Sequence, residues 1–578
     1  MNGFLLAWSP DGEKIDAGTI ETLKADLHRR YPDGSAAETN GAAGAIFATL
    51  RTVNDVREFP QPHRSSEGWL FAADARLDDR DDLRAKLPDA DLPADAADAE
   101  YILAAYRRWG RDCVDHLRGD YAFALFDGQD LFIAHDHFAV IPVYYAKIDG
   151  SWVVSNDLKA IRAWPGCNDR LNDQFIADFL MFGMNMDTGT TVYSEIRRLK
   201  PAHAMTIGRG NVRIRRFYEM PSRQVNRRRS DHDTIAEFSD LLKTAVRDRL
   251  RWPKATTHLS GGMDSSTVTV LAVEELGAHN VVAHNQRYQE LFHDQEGILA
   301  AEIAAGLGVR IRHYNLEEVA RTPMPDQQLV DYPEPLNVPH CQAETYSHLD
   351  ASGHSRLILT GFGGDPLLAF GKLLPGQRAW RRLRQTAHSL KTRRQDLRPT
   401  VPNHLREAPF ARNFPLEERL CEVLKADYSD QRAGMFDHAL WSNIFAWSTP
   451  PFQPAPVCLR YPFFDVRLVE FMQTVAPLKW LRRKRLLRQA MSNRLSNSII
   501  ERPKTSLPLS VGHAWATDIG VRPWQIQLAE SEVVQYFSLV EGKSEQSESS
   551  AYRDVVLTAS LSHWLARFKK VSEHEQNL

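Results

Sequence analysis

Apolar residues run along the chain in two different rhythms. Through the first 218 residues they come in short bursts, "GAIFATL" at 44–50, "GWLFAADARL" at 68–77, "YAFALFD" at 121–127, "LFIAHD" at 131–136 and "WVVSND" at 152–157, with one clear helical stretch, "DAEYILAAYRRWG" at 98–110. Bursts of this length between turn-forming residues predict stacked antiparallel sheet with a few helices. The polar and basic "PSRQVNRRRSDHD" at 221–233 interrupts the pattern, so 219–233 reads as a linker between a domain over 1–218 and another over 234–578.

Past the linker the rhythm alternates between helical and strand periods. "TIAEFSDLLKTAVRDRL", "ATTHLS", "SSTVTVLAVEELG", "NVVAHN", "EGILAAEIAAGLG", "VRIRHYNL" and "SRLILTG" follow in order between 234 and 361. Strands alternating with helices of ten or more residues predict a doubly wound parallel sheet with both faces covered. Ligands of such sheets bind beyond the carboxyl ends of the strands. The fold class is therefore an α+β sandwich followed by an α/β domain.

Two strand ends carry the candidate chemistry. In "HLSGGMDSSTVTVLA", 258–272, Gly261 and Gly262 allow the backbone to turn tightly and approach an anion, and the helix beginning near Ser265 offers unpaired N–H groups. Ser260, Ser265 and Ser266 offer hydroxyls to the same anion. Asp264 would repel a phosphate unless a magnesium ion bridges them, so its presence predicts a metal. About a hundred residues on, "SRLILTGFGGDPLL" ends a second strand in another glycine turn with an acid, Asp365. Two carboxylates on neighbouring strand ends suit a divalent ion bound to polyphosphate.

Composition narrows the setting. Apolar residues make up 43% of 578, charged residues 25%, and the net charge is -3, which argues against a general nucleic-acid or membrane-surface binder. Five scattered cysteines without CxxC spacing suggest neither zinc nor a disulfide framework and fit a reducing cytoplasm. The start, "MNGFLLAWSPDGEK", has no basic lead and too short an apolar run for a signal peptide, and no segment reaches the roughly 20 apolar residues of a membrane span.

The Ser-Gly-Gly-x-Asp-Ser string resembles the pyrophosphate loop of the ATP pyrophosphatase superfamily, and the second turn resembles the metal-binding turn of its asparagine synthetase-like branch. "LRYPFFDVRLVEFMQTVAPLKW" and "RRKRLLRQAMSNRLSNSIIERPKTSL" resemble signature blocks of that branch. The resemblance implies ATP and Mg2+ as cofactors, with Leu259, Ser260, Gly261, Gly262, Asp264, Ser265, Ser266, Gly361, Gly363 and Gly364 around the nucleotide and Asp264 and Asp365 on the metal. It places Lys504 against the charge that builds on the leaving group. Asn285, at the end of "NVVAHN", stands where adenine can be met. Asp294 and Glu296 resemble an acidic pair found after this strand in the family.

"AADARLDDRDDLRAKL", "AYRRWGRDCVDHLRGDYAFALFD" and "AHDHFAVIPVYYAKIDGSWVVSNDLKAI" resemble the class II glutamine amidotransferase domain, an Ntn-type sandwich. That domain works through an N-terminal cysteine, whereas this chain opens Met1, Asn2, Gly3, so no glutamine hydrolysis is expected. Branches without the cysteine include β-lactam synthetases and lasso peptide cyclases, in which an amine of the same molecule attacks an adenylated carboxylate. Phe362 stands where β-lactam-forming relatives carry a tyrosine, and "GGDPLL" and "EPLNVPHC" resemble lasso cyclases. The implied activity is macrolactam formation in a precursor peptide, alongside a leader-cleaving protease and a small leader-recognition protein. The alternatives are a β-lactam-type or ammonia-dependent asparagine-type synthetase and a non-catalytic peptide-binding scaffold.

Three features stay open at this point. The segment 378–412 holds ten Arg or Lys against Asp396 and Glu407 and reads equally as an acidic-peptide or phosphate gatherer and as a solvated face. Leu557, Leu561, Trp564 and Phe568 share a helical stripe that reads as packing. His284, His340 and His348 give no ligand pattern.

Overall fold

A computed structural model of the protein describes residues 1–502 except 55, 290–294, 321–337, 369–400, 402, 407–413, 430–437, 451 and 453–454, and beyond 502 describes Leu561 and Trp564. Two six-stranded antiparallel sheets occupy the first 216 residues. One contains β1 (Asn2–Trp8), β2 (Gly34–Asn40), β3 (Ala43–Thr49), β8 (Tyr144–Ile148), β9 (Ser151–Ser155) and β10 (Arg197–Arg198), in the order β10-β8-β9-β1-β3-β2. The other contains β4 (His63–Arg64), β5 (Leu70–Leu77), β6 (Gly119–Phe126), β7 (Leu131–His135), β11 (His203–Ile207) and β12 (Val212–Arg216), in the order β12-β11-β7-β6-β5-β4.

The side chains sort by strand period. Phe4, Leu6 and Phe47 meet Leu70, Ala72, Ala124 and Ile133 between the sheets. Leu5, Ala7 and Ile46 point the other way, onto Ile20, Leu23 and Leu27 of helix α1 (Ala17–Arg30) and onto Phe175 and Phe179. On the far sheet, Phe71, Phe123 and Leu125 face Tyr101 and Ile102 of the helix Asp98–Trp109. Because helices cover both outer faces, the strands read as continuous apolar runs rather than alternating ones. Helix α1 has no loud signal in the sequence. Asp16 caps it by accepting from the Thr19 N–H at 2.7 Å, and only three apolar side chains seat it.

A parallel sheet follows, built from β13 (Ala255–His258), β14 (Val281–Arg287), β15 (Arg310–Asn315), β16 (Leu357–Leu359) and β17 (Cys458–Arg460), in the order β15-β14-β13-β16-β17. The helix Asp231–Arg247 precedes it, capped by Ser230, whose Oγ accepts from the Asp233 N–H, so it starts three residues before the expected boundary at 234. The expected linker does not hang free. Gln224 and Asn226 donate their backbone N–H to the carbonyls of Gln473 and Thr474, and Arg229 lies over the Phe471 ring. Of the C-terminal stripe, Leu561 and Trp564 are buried in the cluster around α1 and Phe175, as packing requires; Leu557 and Phe568 lie outside the described residues, as does the basic segment 378–412 apart from Val401 and 403–406.

A buried ionic seam joins the sandwich to the parallel sheet. Arg76 on β5 pairs with Asp78 and, at 3.0 Å, with Asp120 on β6. Arg249 reaches Asp465 at 3.0 Å and Asp120 at 3.6 Å, while Arg460, the last residue of β17, lies 3.4 Å from Asp120. Arg467 closes the group on Asp465 and Asp248 at 2.6 and 2.8 Å. Burial raises the Asp78 carboxyl, but Arg76 and Arg249 more than offset it and hold the group below the usual carboxylate range.

Candidate active site

The order of the parallel sheet fixes where a ligand belongs. The chain runs outward from β13 through β14 to β15 and then returns to lay β16 on the other side of β13. The loops leaving β13 and β16 therefore part in opposite directions and leave a crevice at the carboxyl edge. Both glycine turns singled out in the sequence leave from these two strands.

The first turn is self-braced. Helix α7 (Met263–Leu276) begins two residues earlier than the sequence suggests, with Gly262 as its N-cap. Gly261 has φ +75, and a Cβ there would meet the Glu296 carbonyl oxygen at 2.8 Å, so both conformation and space require glycine. The serine hydroxyls divide their roles in a way the sequence does not show. Ser266 Oγ donates to the Gly262 carbonyl at 2.6 Å, and Ser265 Oγ accepts from the Ser260 N–H at 3.1 Å; both residues are buried. These two hydroxyls hold the loop's shape, and Ser260 is the exposed one.

The second turn packs directly on the first. A Cβ at Gly361 would lie 2.7 Å from the Ser265 nitrogen, and one at Gly364 only 2.4 Å from Asp264 Cγ. Gly363, at φ +90, would drive a Cβ into the Phe464 ring. The three glycines thus let the loops touch, and their contact brings Asp365 beside Asp264. Phe362 stands at the mouth, 44% exposed.

Lys484 completes the site. Its ammonium bridges the two carboxylates, touching Asp264 and lying 2.6 Å from Asp365. Asp264 and Lys484 are largely covered, whereas Asp365 keeps 49% of its side-chain surface open. Arg483 and Lys484 both adopt left-handed backbone, φ 52 and 54, unusual for residues with a Cβ and a mark of a held, strained position. Lys484 lies in the "RRKRLLRQAM" block but does not stand out there. Its one signal was a position inside a basic run, which a solvated helix face produces equally well.

Other expected residues fall as follows. Leu259 is buried, and its carbonyl accepts from Asn285 Nδ2 at 2.8 Å, while Asn285 Oδ1 contacts His313 Nδ1 at 3.0 Å. Asn285 therefore ties β13 to β14 and β15 through its amide. Glu296 sits in the first turn of the helix Gln295–Leu307. Lys504 and Asp294 lie outside the described residues.

Asp264 and Asp365 fit a hard divalent ion. Both reach one point already occupied by a cationic group, and magnesium characteristically takes one or two carboxylates and completes its shell with phosphate oxygens and water. Among the described residues no group of three or more His, Cys, Asp or Glu side chains gathers into a metal cage.

Beneath the site, on the sheet face toward helix α10 (Val338–Ser352), lies a group of imidazoles. His258 and His284 are register partners on β13 and β14. His258 stacks on His348 of α10 at 5.6 Å and 4°, and His284 Nδ1 contacts Ser347 Oγ at 2.9 Å. His258 is partly exposed as a residue, but its Nε2 is shielded from water, and desolvation lowers it to about 4. Burial first, then His258 and Arg312, lower His284 to about 3. Both rings are neutral at pH 7.

Comparison with known proteins agrees with this architecture. Residues 1–218 match the glutamine amidotransferase domain model and residues 237–569 the asparagine synthase model. Asparagine synthetase [glutamine-hydrolyzing] 3 of Bacillus subtilis is 30% identical over 44% of this chain and 42% of its own. Amidase chry2 of Gibberella zeae is 26% identical over 52% and 47%, and asparagine synthetase [glutamine-hydrolyzing] 1 of B. subtilis is 22% identical over 64% and 57%. The matched regions span about half the length of these relatives. With an amidotransferase-like sandwich ahead of a parallel sheet whose two glycine turns meet at its switch point, the chain belongs to the asparagine synthase family.

Proposed function

We propose that the protein is an ATP-dependent amide-bond-forming ligase. A carboxylate attacks the α-phosphate of ATP and releases pyrophosphate; an amine then attacks the resulting acyl-adenylate and releases AMP. The observation that carries this reading is the meeting of Asp264, Asp365 and Lys484 at the carboxyl edge between β13 and β16. The N–H groups of the first turn of α7 and the hydroxyl of Ser260 face the phosphates. Asp264 and Asp365 are the residues that would hold magnesium, which when bound would supply neutralising charge to the triphosphate; Lys484, which lies between them, is placed to pair with phosphate oxygens. Lys504, carried from the family resemblance, stabilises the charge that builds on the leaving group.

For the substrate we propose a peptide. The carboxylate is an Asp or Glu side chain in a precursor and the amine is its newly cut N-terminus, so the product is a lasso-type macrolactam; a leader-cleaving protease and a small leader-recognition protein act beside the ligase. Phe362 at the mouth supports this reading, because an exposed apolar ring suits a peptide chain better than free aspartate. A phenyl ring also has no proton to move, in contrast to the tyrosine of β-lactam-forming relatives. A small-molecule, asparagine-type reaction is the second reading, favoured by the names of the relatives.

The test offers Mg-ATP with a leader-free peptide carrying an Asp or Glu and a free N-terminus, and separately with aspartate plus ammonium. AMP release with the peptide and a product lighter by one water is the expected result. AMP release with aspartate and ammonium alone would transfer the protein to the second reading, and no AMP in either case would remove the ligase reading.

A further inference from the structure

Amide formation needs a base, and Phe362 cannot serve as one. Helix α10 supplies a candidate. It connects β15 to β16, two parallel strands, and so runs antiparallel to them, with its start at the carboxyl edge where the glycine turns lie. Its side chains fix its height on the sheet. Ser347 contacts His284 of β14, Asp350 accepts from the Tyr314 hydroxyl at 2.6 Å, and His348 stacks on His258, the last residue of β13. Glu344 stands one helical turn before His348, displaced about 6 Å toward the carboxyl edge. That puts Glu344 on the side of His348 that faces the carboxyl edge.

The surroundings suit a proton acceptor. Glu344 Oε1 lies 3.8 Å from His348 Nε2, and 44% of its side-chain surface remains open. Desolvation raises its carboxyl to about 7. Its charge also reaches Tyr461, just past the end of β17; burial is the main cause of the raised Tyr461 hydroxyl, and Glu344 adds to it. Glu344 therefore faces the carboxyl ends of β13 and β17, on either side of β16 and its glycine turn.

We propose that Glu344 takes the proton released by the attacking amine. Resting on the ligase reading above, this assigns the step as follows. The neutral amine nitrogen attacks the carbonyl carbon of the acyl-adenylate, and the N–C bond forms. The bond from that carbon to the adenylate oxygen breaks, and AMP leaves with the electron pair. The surplus proton on nitrogen passes to a Glu344 oxygen and from there to solvent, to which the side chain stays partly open.

The two half-reactions separate this role from a structural one. Substrate-dependent exchange of labelled pyrophosphate into ATP reads adenylation, and the mass of the amide product reads transfer, each with the peptide and with aspartate plus ammonium. In Glu344→Gln, exchange is expected to stay within about threefold of the unsubstituted protein while amide formation falls about 100-fold or more. The attacking amine must itself be neutral and gives an acid limb near about pH 8 in every variant; the further steepening of that limb below about pH 7 should vanish from the residual activity, and Glu344→Asp should recover part of the rate. Besides His348 and Asp350 on its own helix, the groups able to affect that limb are His258, His284, Arg312, Tyr314 and Tyr461. Steepening below about pH 7 that persists in Glu344→Gln belongs to another of these groups and overturns the assignment. Wild-type transfer by Glu344→Gln, or equal loss of exchange and transfer, would also overturn it. An unsubstituted protein that exchanges pyrophosphate with neither substrate would instead overturn the ligase reading, and this proposal with it.

Discussion

Two places in the molecule gather aspartates around a cationic side chain, and they do opposite things. In the seam between sandwich and parallel sheet, Arg76, Arg249, Arg460 and Arg467 interlock with Asp78, Asp120 and Asp465; Arg76 and Arg249 are 1% exposed and Asp120 and Asp78 only 3%. At the crevice, Lys484 lies between Asp264 and Asp365, and Asp365 is half open. Rigid, bidentate guanidinium groups fill the closed place, whereas a single flexible ammonium fills the open one. The difference teaches that a charge cluster marks a ligand site only where its cation can be exchanged. In the proposed site a metal ion takes the place of Lys484 between the two carboxylates, whereas the seam's guanidinium groups are closed off from solvent.

The largest way to break the comparison is at the seam. Arg249→Met leaves Asp465 and Asp120 without one of their partners in a buried setting and should cost about 3–5 kcal/mol, read as a lower urea midpoint. Asp264→Asn should act on rate instead. A loss of about 10²–10³ in AMP formation, or about 2.7–4 kcal/mol, is expected with little change in the melting temperature. If Asp264→Asn unfolded the protein as Arg249→Met does, the open cluster would be structural after all.

Gly364→Ala is the next step down. Its methyl would fall 2.4 Å from Asp264 Cγ and push the two turns apart. A loss of about tenfold to 100-fold in AMP formation is expected, at a stability cost of about 1–3 kcal/mol. The smallest effect is on pH dependence. His258 and His284 are depressed below their ordinary 6.5, so the unfolded chain binds more protons below that pH. Their contribution should be full above about pH 7.5 and fall by about 1 kcal/mol each by about pH 5.5; His135 and His137, lowered to about 4 and 3, act in the same direction and Asp136, raised to about 7, opposes them. In urea titrations His258→Asn should change the slope by one group's share, about 1 kcal/mol between about pH 7.5 and 5.5. The seam, built of arginines and aspartates, should contribute nothing to it in this range.

The sequence told these regions apart only in part. Both glycine turns, the alternation of strand and helix, and the paired aspartates were legible because tight turns demand glycine and a metal demands oxygen, requirements that fall within a few adjacent residues. Lys484 was not, because its significance comes from meeting Asp264 and Asp365 across 220 and 119 positions of chain. The seam was equally hidden: nothing in the local sequence sets Asp78, Asp120, Arg249 and Arg467 apart from other charged residues, and only the fold brings them together. Ser265 and Ser266 looked like ligand donors, and the structure turns both inward. Helix α1 escaped notice because its three apolar contacts are spaced along an otherwise polar face.

The proposed chemistry needs the open pair of carboxylates to be a magnesium-nucleotide site. Calorimetric titration of ATP into the protein with and without Mg2+, repeated with Asp264→Asn and Asp365→Asn, tests it most directly. Magnesium-dependent binding that weakens at least tenfold in both variants is the predicted result. Binding that ignores magnesium, or that both variants retain unchanged, would contradict the account.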